Sequence, residues 1–551
     1  MKRLFNTLLI LLTLLGIAFG QEIKVIQKSL QVPVLKNKRL NPVLQLHLSG
    51  QKRLKAYQMV LDFKGTSDMG DVDSLFIFDL GQDSTWTLKD AQLLQRTKVV
   101  KTRLVVDLSL SLTSEKKFLM FAVKLSEETS LNHQISIGIE QVIFSNGTTL
   151  MPPYDTSRIK HRVGVAVRKA GDDGIAGYRI PGLAQTKDGA LLAIYDARRE
   201  SRRDLQGDID IGLSRSTDGG NSWEPMRIAL DMGTYGGLPE KYNGVSDACI
   251  LVDQFSKEIY VAGCWMYGVI DEKTRQPVEG LQENSVAWNH QWRKNGSLPG
   301  FDIAKTSQFL LTKSTDDGKT WSEPINLTKQ MKKAEWHLFA PAPGSGITLQ
   351  DGTLVFPTQG KDEQQQPFSN ITYSKDRGKT WHASKPSFSN TTENMVVQLK
   401  DGRIMQNMRD NRNATDKSDK NGRAIFTTKD LGNTWQEHSS HHGALIEPRC
   451  MASIIRHNYT DTDGKPQSIL VFSNPNSKYN REKMTIKVSF DEGKTWPKEN
   501  WLLLDVLPLQ GGYSSLTSMG NDSIGILYEG SQAQMTFERI SLRELGITNT
   551  R

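Results

Sequence analysis

STDDGKTW, Ser314 to Trp321, is one of five copies of a single pattern. The others are STDGGNSW (Ser216–Trp223), SKDRGKTW (Ser374–Trp381), TKDLGNTW (Thr428–Trp435) and SFDEGKTW (Ser489–Trp496). Each reads Ser/Thr-x-Asp-x-Gly-x-Ser/Thr-Trp and follows a short β-rich run. These are the residues of a tight turn: Asp accepts backbone amides, Gly takes φ > 0, and Trp packs beneath the hairpin. The tryptophans lie 98, 60, 54 and 61 residues apart, so the chain repeats one β unit.

A second period agrees. KDGALLAIYDAR, QDGTLVFPTQG and KDGRIMQNMRD each place an Asp-Gly turn before an apolar strand. Eight residues past each turn Asp stand Asp196, Gln359 and Arg409, and in NDSIGILYEG Glu529 stands seven past Asp522. The strand leaving the turn thus ends in a polar side chain. Units of roughly 40–60 residues repeated around an axis predict an all-β propeller, whose inner strands bring these polar ends to one mouth. The longest gap predicts an insertion around 268–307, carrying Trp288 and Trp292.

Residues 21–155 lack the repeat. Their short alternating runs, such as RLVVDLSLSL, predict a small β-sandwich that braces the larger domain or binds carbohydrate. SNGTTLMPPYDTSR reads as the linker to a second domain over 156–551. At the N-terminus, Lys2 and Arg3 precede an apolar run, and Ala18-Phe-Gly20 gives the small-x-small pattern before Gln21. Residues 1–20 therefore read as a cleaved signal peptide, with export to the periplasm or medium and no transmembrane anchor after cleavage. The only cysteines, Cys249, Cys264 and Cys450, make no disulfide framework. A net charge of +8 favours an acidic partner, but no Lys/Arg run interleaved with aromatics points to nucleic acid.

With the five boxes and YRIPGL (Tyr178–Leu183) in view, the chain resembles the bacterial exo-α-sialidases (neuraminidases) over about 165–545. The boxes alone are structural and not specific; Arg-Ile-Pro upstream of several of them is. The resemblance implies a six-bladed β-propeller as catalytic domain, preceded here by the sandwich. It also implies sialylated glycoproteins, glycolipids or oligosaccharides as substrates, with no metal and no cofactor.

The chemistry explains the residue types that the resemblance carries over. Sialic acid bears a carboxylate on its anomeric carbon, and guanidinium groups pair with carboxylates bidentately without losing charge. Arg179, Arg409 and Arg481 occupy the family's three arginine positions. A carboxylate nucleophile would be repelled there, and sialidases use Tyr. Tyr513 in QGGYSS matches that nucleophile, and Glu393, sixteen residues before Arg409, matches its base. The general acid falls in YDARRESRRDLQGDID (Tyr195–Asp210), where Asp204 stands twenty-five residues past Arg179 and Asp208 is the runner-up. Arg198 matches a pocket arginine before that loop, and Asp196 a structural partner for an arginine. Asp247 matches an acid near the amino-sugar side of the ligand, and Glu529 the glutamate that holds the first arginine. The implied reaction is hydrolysis with retention through a sialyl-tyrosine intermediate. The alternatives are a trans-sialidase, an intramolecular trans-sialidase, or a propeller that binds sialoglycans without turnover.

Overall fold

A computed structural model describes residues 23–550, except 51–53, 113–115, 156, 206 and most of 267–295. The signal-peptide segment 1–20 and both insertion tryptophans, Trp288 and Trp292, lie outside the described residues. The described chain is all-β, with short 3-10 turns and one four-residue α-helix, Thr328–Met331.

Two compact units form. One comprises the described residues up to 30 together with 39–129 and 133–161; the other comprises 31–38, 130–132 and everything from 162. The first has two antiparallel sheets, the components of a β-sandwich. One sheet orders Lys24–Lys28, Asn41–Ser49, Lys117–Leu125, Val72–Gly81 and Gln92–Lys98; the other orders Thr149–Leu150, Gly138–Phe144, Lys55–Asp62 and Arg103–Ser111. Alternation within Arg103–Ser111 buries Val106, Leu108 and Leu110 while Asp107 and Ser109 face outward.

The second unit is built from antiparallel meanders, numbered here as sheets I to VI. Sheet I runs Gly177–Gln185, Leu191–Arg198, Ile209–Ser216 and Arg227–Leu230; sheet II runs Gly244–Val252, Ile259–Met266, Gln308–Ser314 and Ile325–Asn326. A single bridge, Ile209 to Gly244, joins these two. Sheet III centres on Leu338–Pro341, Leu354–Lys361 and Pro367–Ser374; sheet IV on Thr391–Gln398, Ile404–Asp410 and Ala424–Thr428. Sheet V runs Ser453–Thr460, Pro466–Pro475, Glu482–Ser489 and Trp501–Pro508. Sheet VI takes Ser514–Met519, Ser523–Tyr528 and Met535–Ser541 from the C-terminus, then His161–Arg168, and finally Val34–Lys36 in parallel. Leu191–Arg198 and Ile209–Ser216 are buried along their whole length, although only the first opens on an apolar run.

The five boxes fold alike. In the second, Ser314 Oγ bonds Asp316 and accepts the Gly318 amide, while Asp316 accepts the amide and hydroxyl of Thr320. The same bonds recur around Asp218, Asp376, Asp430 and Asp491. Each box glycine lies directly against the preceding sheet. Gly318 sits on Leu192 of sheet I, Gly378 on Tyr260 of sheet II, Gly432 on Ser384 beside sheet III, and Gly493 on Met405 of sheet IV. Gly220 of sheet I sits on Phe537 of sheet VI, the last sheet, where Trp223 also meets that ring edge-on at 5.1 Å. Sheets V and VI join through Ser473 and Ser514, 2.8 Å apart.

Candidate active site

Three β-bulges on first strands aim side chains into one cavity. In sheet I, Ile180 and Pro181 together oppose a single residue, Tyr195; in sheet II, Asp247 and Ala248 oppose Gly263; in sheet IV, Thr392 and Glu393 oppose Arg409. An extra residue re-aims the strand locally, and such bulges gather at sites. Ile180 and Asp247 adopt φ of 63° and 56°, a left-handed conformation that is costly for side chains of this kind. The cavity, of about 480 Å³, is lined by Arg179, Asp204, Asp247, Glu393, Arg409, Arg481 and Tyr513, among others.

At its centre the Tyr513 hydroxyl donates a short hydrogen bond to Glu393, whose second oxygen pairs with Arg409; Arg409 also reaches the Tyr513 oxygen at 2.9 Å. Arg179 and Arg481 each lie 5.4 Å from the Tyr513 ring centre. Burial and the adjacent Glu393 push the Tyr513 phenol well above its ordinary pKa, so the hydroxyl keeps its proton until a base takes it. Glu529 lies buried behind, binding Arg179 Nε at 2.8 Å and accepting the backbone amides of Ile180 and Tyr513. Burial alone would raise the Glu529 carboxyl, but Arg179 and those amides outweigh it and hold the pKa down. Among the described residues Asp247 has no such partner: burial, then Glu393, Asp196 and Asp204, push it well up.

Asp204 sits half-exposed at the cavity wall, 3.8 Å from Arg179. Arg198, expected to face the pocket, instead lies fully buried beneath it and is not part of the lining. Its guanidinium bonds Asp204 at 2.7 Å on one side and Asp196 at 2.9 Å on the other. Asp208 points away from the cavity to Arg199, 3.5 Å distant, so its geometry differs from that of Asp204 although both share one loop.

Residues 180–505 match the BNR repeat-like domain, and residues 21–148 match the N-terminal domain of BNR-repeat neuraminidase. The chain is 44% identical to a sialidase of Bacteroides fragilis over 432 residues, 78% of this chain and 74% of that protein. It belongs to the bacterial sialidase family of glycoside hydrolases. A sialidase of Clostridium perfringens is 29% identical over 64% of this chain and 86% of its own length. Among solved structures, a Hadza microbial sialidase superposes with a TM-score of 0.83 at 34% identity, covering 94% of this chain and 99% of that one.

The sialidase cavity also holds residues that the sequence reading did not single out: Lys361, Thr392, Asn411 and Arg449. Burial pushes the Lys361 ammonium down to about 8. Lys361 ends the strand Leu354–Lys361, two residues past Gln359, so strand-end polarity was a usable signal for it. Arg449 lies in an irregular stretch between sheets IV and V, where no periodicity marks it.

Proposed function

We propose that the protein is an exo-α-sialidase that hydrolyses terminal sialic acid from sialylated glycoproteins, glycolipids or oligosaccharides with retention. The observation that carries this reading is the Tyr513–Glu393–Arg409 contact set inside a cavity that also holds Arg179, Arg481 and Asp204. Arg179, Arg409 and Arg481 bind the substrate carboxylate, and Asp247 meets the amino-sugar side. Asp204 gives its proton to the glycosidic oxygen as that bond breaks. The Tyr513 oxygen bonds to the anomeric carbon as its own proton passes to Glu393. In the second half, Asp204 takes a proton from a water whose oxygen displaces Tyr513, and Glu393 returns a proton to the phenolate. Glu529 fixes Arg179, and Arg198 positions Asp204 rather than touching substrate.

Sheets I to VI are read as six blades closed into a propeller over 156–551. The support is that each box packs on the sheet before it and the first packs on the last. The unit over 21–155 is assigned a bracing role. Residues 1–20 are assigned as an export signal; among the described residues no helix is long and apolar enough to cross a membrane.

Release of 4-methylumbelliferone from its α-sialoside tests the activity, and Tyr513→Phe retaining full turnover would sink the nucleophile. Mass spectrometry of the product separates free sialic acid from a 2,7-anhydro or transferred sugar. NMR of the first-formed anomer tests retention.

A further inference from the structure

Arg449 is an exposed cation at the rim of the cavity. Among the described residues its guanidinium makes no hydrogen bond or ion pair; only its carbonyl is engaged, by Arg481 at 3.2 Å. Two charges of its own sign act on it: after burial, Arg409 and Arg481 push its pKa down, against a smaller upward pull from Tyr513 and Glu393. Its backbone is left-handed, with φ of 53°, a conformation that costs an arginine stability and persists where the surroundings enforce it.

The balance of charge around it is lopsided. Arg179 is answered by Glu529 and Arg409 by Glu393. Among the described residues the Arg481 guanidinium bonds only backbone carbonyls, of Gly511 and Arg449. A single substrate carboxylate shared by three arginines answers Arg481 and leaves Arg449 unpaired, beside two like charges and open to solvent. Like charges held together at a cleft mouth fit an anion that arrives with the ligand.

We infer that Arg449 reads a second anionic group, carried on the departing sugar, so that the enzyme favours sialosides whose penultimate residue is itself acidic. A carboxylate, as in sialic acid linked to sialic acid, and a sulfate on the glycan share this chemistry. The inference rests on the proposed sialidase activity.

The test compares kcat/KM of wild type and Arg449→Ala on three substrates: 4-methylumbelliferyl sialoside, α2,8-disialyllactose and a sulfated sialyl trisaccharide. The expected result is a loss on one or both acidic-aglycone substrates about five-fold larger than on the neutral one, the scale of an exposed ion pair, shrinking at high salt. Loss confined to the disialyl substrate names carboxylate as the partner, and loss confined to the sulfated one names sulfate. Equal losses on all three overturn the inference and leave the sialidase assignment intact. Wild type inactive on every one of the three overturns the sialidase assignment, and the inference with it.

Discussion

The Tyr513 hydroxyl donates to Glu393, and the same carboxylate pairs with Arg409 through its other oxygen. In the proposed mechanism this one glutamate takes the phenol's proton as well as anchoring a guanidinium. Because the phenol is held well above its ordinary pKa, the proposed attack by Tyr513 requires Glu393 to remove its proton as the bond forms. Glu393→Gln keeps the shape and loses the base. Its kcat is expected to fall about 10²–10⁴-fold, the usual range for a general base, while the fold is kept. Stopped assays with the 4-methylumbelliferyl substrate and circular dichroism check both halves.

Asp204 and Asp208 are separable by leaving group. Asp204→Asn removes the proposed proton donor, so its loss of kcat/KM should be large on a natural sialyl-lactose and much smaller on a substrate whose phenolic leaving group needs little protonation. Asp208 pairs with Arg199 away from the cavity, and burial lifts its pKa to about 6. Asp208→Asn should show no such dependence on the leaving group. Should Asp208→Asn show that dependence and Asp204→Asn lack it, the acid has been assigned to the wrong aspartate.

Arg198 is held between Asp196 and Asp204 with 1% of its side chain exposed. Arg198→Ala leaves Asp196 buried without its cation, and losing one partner of a buried pair costs about 3–5 kcal/mol. Urea denaturation should show that loss. Arg198→Lys restores charge without the two-sided fork, so it should recover stability more than it recovers kcat.

What was legible in the sequence follows the physics of each feature. The box residues are written locally, because Asp316, Gly318 and Thr320 bond one another within a few positions. Strand-end polarity likewise pointed to Arg409 and Glu529. The bulges at Ile180, Asp247 and Glu393 were not legible, since an extra residue opposite Tyr195 or Gly263 is a property of two strands at once. Arg198 read as a pocket residue because the resemblance places an arginine before that loop; its burial against Asp204, six positions later, depends on a loop path that no local pattern sets. The addition of Val34–Lys36 to sheet VI was equally silent, being a pairing across more than a hundred residues.

Lys361 gives the cavity a pH limit. With its pKa pushed down to about 8 by burial, it is charged below that pH and neutral above it. KM for an anionic sialoside is expected to rise as pH passes about 8, and Lys361→Gln should raise KM at pH 6 and flatten that limb. A profile with the same alkaline limb in both proteins would assign it to another group.

Phe537 joins the last sheet to the first. Its ring takes the edge of Trp223 at 5.1 Å and lies directly on Gly220, where it leaves no room for a side chain and φ is 89°. The internal joints use the same geometry, as in Gly318 on Leu192. If the six sheets form a closed ring, the Phe537 joint is as central as any other, because opening it exposes the flanks of sheets I and VI together. Phe537→Ala should then cost about 3–5 kcal/mol, as for a buried aromatic, within a single cooperative transition. In an open array the same substitution would fray one end: the tryptophan fluorescence of Trp223 would change at lower urea than that of Trp381, which is buried between Tyr260 and Phe356. Single-tryptophan variants retaining one reporter or the other distinguish the two, and coincident transitions support the ring.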